Sequence, residues 1–151
     1  MDTTNNLTIA VDFDGTIVEN DYPKIGKPMM FAFETLKEFH KEGHRLILWT
    51  YRHGDELKAA VDYCKKNGVE FYAVNNDFPE EEFDNKSSRK ILADIFIDDR
   101  NIGGFLGWSK IWQLLHPDSK TIEDMYVDFD AHSNYKRQSG FFGKFMNIFS
   151  R

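Results

Sequence analysis

The chain of 151 residues has a single cysteine, Cys64, which excludes an intrachain disulfide and suits a reducing compartment. No apolar run approaches the roughly 20 residues that a membrane-spanning helix needs. The N-terminus runs polar into the first apolar stretch and lacks the layout of a secretory leader, so the cytoplasm is the default expectation. Positive charge is also short: 19 Lys and Arg against 25 Asp and Glu give a net charge of −6. That balance offers no basic face for general nucleic-acid affinity, and no stable nucleic-acid or membrane partner is expected. Apolar and aromatic residues are plentiful: 41% of the chain is hydrophobic, with 14 Phe, 6 Tyr and 3 Trp, which argues against disorder. The length suits one domain with a substantial core.

Strand and helix patterns alternate along the chain. An apolar β-type run over 7–11 is followed by an irregular loop over 17–27 containing Pro23 and Gly26. Pro28 suits a first helical turn, and Met29, Phe33, Leu36 and Phe39 or His40 follow at helical spacing up to Gly43, where a C-cap belongs. A strand over 45–49 precedes a second helix from about Asp55, with Leu57, Val61 and Cys64 on one face and Asn67-Gly68 ending it. Cys64 on that apolar face reads as a packing residue. Val69–Val74 reads as a third strand, 75–89 as a polar loop, 87–93 as a short helical turn, and 94–97 as a further strand. Residues 108–115 suggest another helix, stopped by His116-Pro117. Such alternation implies βαβ units and a mainly parallel sheet.

The strand ends carry the chemistry. Residues 7–16 read Leu-Thr-Ile-Ala-Val-Asp-Phe-Asp-Gly-Thr: the apolar run stops at Asp12, skips to Asp14 and breaks at Gly15. In extended chain, residues i and i+2 point the same way, so the two carboxylates converge unless the turn begins first. Carboxylates that close repel, and a divalent metal is the simplest remedy; Mg²⁺ is usually held by one or two carboxylates with waters and substrate phosphate. Taken alone, the segment reads equally well as a strand followed by an Asp-Gly turn. The strand over 45–49, however, ends at Thr50, and the one over 94–97 ends at Asp98-Asp99, eight residues after Lys90. Open α/β sheets bind ligands at the carboxyl ends of their strands, where all of these residues fall.

Asp12-Phe13-Asp14-Gly15-Thr16, Thr50, Lys90 and Asp98-Asp99 together resemble the four ordered motifs of the haloacid dehalogenase superfamily of phosphohydrolases, over roughly residues 7–112. The segment from Asp94 to Gly104 resembles small bacterial and phage members. The resemblance implies a three-layer Rossmann-like core, α/β with a mainly parallel sheet. Neither the interval after the first strand nor that after the third has room for a cap domain. It also implies a Mg²⁺-dependent phosphatase acting on a phosphorylated substrate of unspecified class. Asp12 would be the nucleophile that forms an aspartyl-phosphate, and Asp14 the general acid/base. Thr50 would bind a phosphate oxygen, with Gly15 and Arg52 also at the substrate, and Lys90 would hold the phosphoryl group by charge; Lys86 competes for that role. Mg²⁺ would take Asp12, the Asp14 main-chain carbonyl and the Asp98-Asp99 pair, with Asp99 favoured as direct ligand. Glu19, Asn20, Asp21 and Tyr22 are candidates for specificity. Arg100 and Asn101 read equally well as ion pair or cap, and His53 as a solvent-facing loop residue.

Two alternatives stand beside this reading. A phospho-accepting receiver domain also uses an acidic pair, a Thr and a Lys, but its pair follows the first strand, whereas here the adjacent pair comes last. A non-hydrolytic phosphate-binding or regulatory protein would keep the same fold. Val127–Asp130 repeats Val11–Asp14 but lacks the apolar strand and the Gly-Thr. The division expected is a catalytic core over 1–116 and an extension over 117–151 that packs on the core or a second subunit. Its last part, 136–151, interleaves Lys136, Arg137, Lys144 and Arg151 with six large apolar residues, a pattern that suits an arm packing on its own core or on a second subunit of a homo-oligomer, and that a membrane-surface helix or a nucleic-acid contact also shows.

Overall fold

The computed structural model describes residues 6–130, and side chains among them as far as residue 126. The segment 136–151, read above as a packing arm, lies outside the described residues. Four strands, β1 (Thr8–Val11), β2 (Arg45–Leu48), β3 (Ala73–Val74) and β4 (Ile95–Ile97), form one sheet in the order β3-β2-β1-β4, every pairing parallel. Ile9 faces Leu46 on one side and Ile95 on the other, and Val11 faces Leu48 and Ile97. Ile9, Ala10 and Val11 are all buried, as a strand covered on both faces must be.

Connectivity sets what covers each face. The helices α1 (Ala32–Lys41) and α2 (Gly54–Lys66) lie in successive crossovers that step in one direction from β1 to β3, and right-handed crossovers put both on one face. Phe33, Leu36 and Phe39 of α1 and Ala60 and Cys64 of α2 accordingly join Ile9, Val11, Leu46 and Leu48 in the main core. Asp55 and Glu56 open α2 and Lys65 and Lys66 close it, which complements the helix dipole. The helix α3 (Trp108–Leu115) adds Trp108, Ile111 and Trp112 to the same cluster. The helix α4 (Ile122–Asp130) packs on α1 and α3, burying Ile122 completely.

The opposite face is covered differently. Ala10, Ile47 and Ala73 meet Ile91, with Trp49, Ala93 and Phe96 around them. Among the described residues the third layer is therefore the long β3–β4 connection, and none of their helices covers this face. The helical turn read over 87–93 does not form: the segment is irregular, because Ile91 has to reach down to the sheet. The third strand also shortens to Ala73–Val74. The result is a Rossmann-like α/β fold. Val127–Asp130 falls at the end of α4, so its two acids lack the alternation of a strand. Cys64 is fully buried, and burial pushes its thiol up to about 12, fitting a packing residue rather than a nucleophile. No helix among the described residues is long and apolar enough to cross a membrane.

Candidate active site

The sheet order places β1 between neighbours approached in opposite directions, and the β1/β4 boundary is its switch point. Asp12 follows β1 and Asp98-Asp99 follows β4, so parallel pairing alone brings the acids together. The Asp12 amide donates to the Ile97 carbonyl at 2.9 Å and Trp49 N–H to the Val11 carbonyl at 2.8 Å, which ties three strand ends in register. The chain then turns sharply: Gly15 N–H donates to the Val18 carbonyl at 2.7 Å, and Ile17 and Val18 both donate to Phe13. Phe13 points into the core, and the buried indole Nε1–H of Trp108 fastens the turn by donating to the Thr16 carbonyl at 2.8 Å.

One carboxylate oxygen from each of Asp12, Asp98 and Asp99 lies within 4.8 Å of the others. The cost of this placement shows at Asp12. Burial raises its pKa from the ordinary range to about 7; a backbone hydrogen bond from Phe13 opposes this, Asp98 and Asp99 add to it, and the Thr16 hydroxyl (3.2 Å to Oδ2) eases it. Asp99 is raised too, by burial first, with Arg100 pulling it down and Asp98 pushing it up. Gly15 is needed here twice over. Its φ is +83°, and a Cβ at that position would stand 2.3 Å from Asp99 Oδ2. The donor set is all hard oxygen, as Mg²⁺ prefers.

Asp14 takes a different partner. Its Oδ2 accepts from Arg52 Nε and its Oδ1 from Arg52 NH2, both at 2.7 Å. Arg52 is 1% exposed, and it also donates to the carbonyls of Pro23 (3.0 Å) and Lys24 (2.5 Å). Its guanidinium sits 5.0 Å from the Phe13 ring centroid and 5.3 Å from that of Tyr22. Read from the sequence as a substrate contact, Arg52 is instead a buried post that fixes Asp14 and the loop after β1. Thr50 stands at the rim: its amide donates to Asn75 Oδ1 at 2.8 Å, and its Oγ1 accepts from the Arg52 amide at 3.2 Å, leaving the hydroxyl hydrogen to donate elsewhere.

These groups open on a cleft of about 560 Å³ lined by Asp12, Asp14, Thr50, Asp98 and Asp99, with Asn20, Tyr22, Trp49, Tyr51 and Arg100 around them. Of the four candidates in the loop after β1, Asn20 and Tyr22 line it and Glu19 and Asp21 do not. Asn101 turns away to the Asp98 carbonyl (2.8 Å), His53 is exposed at the start of α2, and Arg100 Nε lies 3.8 Å from Asp99 Oδ1. The structure does not bring Lys90 into the cleft. Its amide is held by Ser88 Oγ at 3.1 Å and its ammonium lies 5.7 Å from the Phe96 ring centroid, on the face that the β3–β4 connection covers. Lys86 is no closer to the chemistry: it is exposed, 4.0 Å from Asp84. Sequence reasoning missed the Arg52–Asp14 pair, the rim residues Trp49 and Tyr51, and Asn75, which holds the Thr50 amide. Their signal was adjacency to Thr50 for Trp49 and Tyr51; Asn75, at φ +54° beyond β3, gave none.

The solved structure of a conserved protein from Bacteroides thetaiotaomicron is 52% identical to this chain, covers 77% of it and 94% of that protein, and superposes with a TM-score of 0.71. The chain belongs to that protein's family. No family model and no curated protein matches the chain. Family membership fixes the α/β architecture on which the cleft is built.

Proposed function

We propose that the chain is a Mg²⁺-dependent phosphatase that hydrolyses a phosphate monoester through an aspartyl-phosphate on Asp12. The observation that carries the reading is the division of labour among four strand-end acids. Among the described residues, Asp12, Asp98 and Asp99 converge with a single cation beside them, Arg100 at 3.8 Å from Asp99, while Asp14 is held apart on Arg52. Three converging hard oxygens fit a divalent cation, which when bound would neutralise charge between Asp12 and the phosphoryl oxygens. Asp98 Oδ1 already accepts the Arg100 amide at 2.7 Å, so Asp99 is the freer ligand. With its carboxylate engaged by Arg52, Asp14 would join a metal through its main-chain carbonyl.

The chain's own residues then divide the work. An Asp12 oxygen attacks phosphorus as the ester oxygen departs, and Asp14 delivers the proton to that oxygen. Asp14 next takes a proton from water, which attacks the phosphorus of the aspartyl-phosphate and releases Asp12 and inorganic phosphate. Each Asp14 oxygen uses one lone pair on Arg52 and keeps a second for this exchange. Thr50 donates its hydroxyl hydrogen to a phosphate oxygen, and Arg100 at the rim supplies positive charge. Phosphate release from an aryl phosphate, with Mg²⁺ and with a chelator, tests the reading: activity should require the metal and fall sharply in Asp99→Ala. Metal-independent release, or none with folded protein and Mg²⁺, counts against it.

A further inference from the structure

The cleft has an aromatic rim that phosphoryl transfer does not use. Tyr51 follows the motif threonine and is 86% exposed; Tyr22, on the loop after β1, is 42% exposed. Large rings left in solvent beside a charged cleft suit recognition better than folding. The rim is also built. The two rings meet edge to face, with centroids 6.2 Å apart and planes at 69°. Tyr22 rests on the Arg52 guanidinium at 5.3 Å, and Arg52 holds the carbonyls of the next two residues. The post that fixes Asp14 thus also fixes the rim.

A second groove, of about 310 Å³, shares Trp49, Thr50 and Tyr51 with the first, so Tyr51 stands where the two meet. Its lining also carries polar side chains: Asn75 beside Thr50, and Asn76, Glu81, Ser88 and Arg89. Arg89 lies flat over the Phe83 ring at 3.9 Å, a second π surface in the same wall. A phosphate placed over Asp12 and Asp99 shares its cleft with Tyr22 and Tyr51, and Tyr51 also lines the polar groove beside it. A linear or purely aliphatic alcohol would leave both rings unused, and a bare phenol would leave the polar wall unused. The net charge of −6 and the acids at the mouth disfavour a polyanionic strand.

We propose that the substrate of the phosphatase reading, on which this inference rests, is a nucleoside monophosphate whose base stacks on Tyr51 and presents its edge to the second groove. The phosphoryl group passes from the ribose oxygen to Asp12 and then to water. The ribose oxygen gains a proton, and nucleoside and inorganic phosphate leave. Stacking of one base on an aromatic side chain contributes enough for about a tenfold preference or more.

The test compares adenosine 5′-monophosphate with ribose 5-phosphate, which share the same leaving alcohol and differ by the base. With Mg²⁺, kcat/KM for the nucleotide should exceed that for the sugar phosphate by about tenfold or more. Tyr51→Ala should collapse that ratio toward unity and Tyr51→Phe should keep it. A ratio near one in the parent, a ratio that Tyr51→Ala leaves intact, or a preference for phosphotyrosine over both would overturn the proposal. If neither ester turns over while an aryl phosphate does, the nucleotide proposal fails alone; if the aryl phosphate is not hydrolysed either, the phosphatase reading fails on its own. Equilibrium binding of the two esters to the Mg²⁺-loaded protein then decides the base preference, with the same ratio and the same Tyr51→Ala collapse expected.

Discussion

Asp12→Asn should make the metal-free protein more stable while abolishing its turnover. The carboxyl titrates at about 7 in the folded chain against an ordinary value of 3.8. Below about pH 4 both folded and unfolded chains carry the proton, and Asp12 costs nothing. Between there and pH 7 the unfolded chain ionises first, so stability falls as pH rises, and the cost levels off above the folded value. The full span corresponds to a ceiling of roughly 4 kcal/mol. Asp12 is partly exposed, and solvent screening brings the expected gain to about 2 kcal/mol. The amide keeps the shape and an oxygen to accept from Thr16 Oγ1, so little is lost in exchange. Urea unfolding in the presence of a chelator, at about pH 4.5 and about pH 8, measures it. The variant should exceed the parent by only about a quarter as much at the lower pH as at the higher, and added Mg²⁺ should stabilise the parent and erase the difference. A variant no more stable than the parent at the higher pH, or a gain equal at both, would refute the argument that Asp12 carries uncompensated charge.

Arg52→Met removes one partner from a buried ion pair and should cost about 3–5 kcal/mol in urea unfolding. Turnover should fall more for esters with poorly departing alcohols than for aryl phosphates, since Asp14 loses its fixed position. Gly15→Ala places a Cβ against Asp99 in a left-handed conformation that alone costs about 1–2 kcal/mol; stability should drop and the Mg²⁺-induced rise in melting temperature should disappear. Lys90→Met should lower kcat by less than about tenfold, below the effect usual for a group acting in the transition state, because the ammonium lies over Phe96; a hundredfold loss would show that Lys90 enters the cleft during turnover.

The acids at the strand ends were legible because a parallel sheet delivers its carboxyl ends to one edge. Apolar runs that stop at Asp12, Thr50 and Asp98 already state the result. The partner of Asp14 was not legible. Arg52 is 38 positions away, and which carboxylate it takes depends on the loop carbonyls and rings that trap it. The stretch 87–93 misled because Ile91 can satisfy either a helical stripe or a single anchor, and the sheet face opposite α1 and α2 decides for the anchor. Lys90, one residue before that anchor, lies over Phe96 on the same face. The helix α4 was not read from the sequence, although Ile122, Met125 and Tyr126 stand at helical spacing and pack on the core.

A covalent phosphate on Asp12 is the claim on which the account turns. Acid quenching during turnover of an aryl phosphate with Mg²⁺, followed by peptide mass mapping, should find one phosphate, labile to hydroxylamine, on the peptide containing Asp12, and none in Asp12→Asn. Steady turnover without any phosphorylated Asp12, persisting in the folded Asp12→Asn protein, would contradict the account.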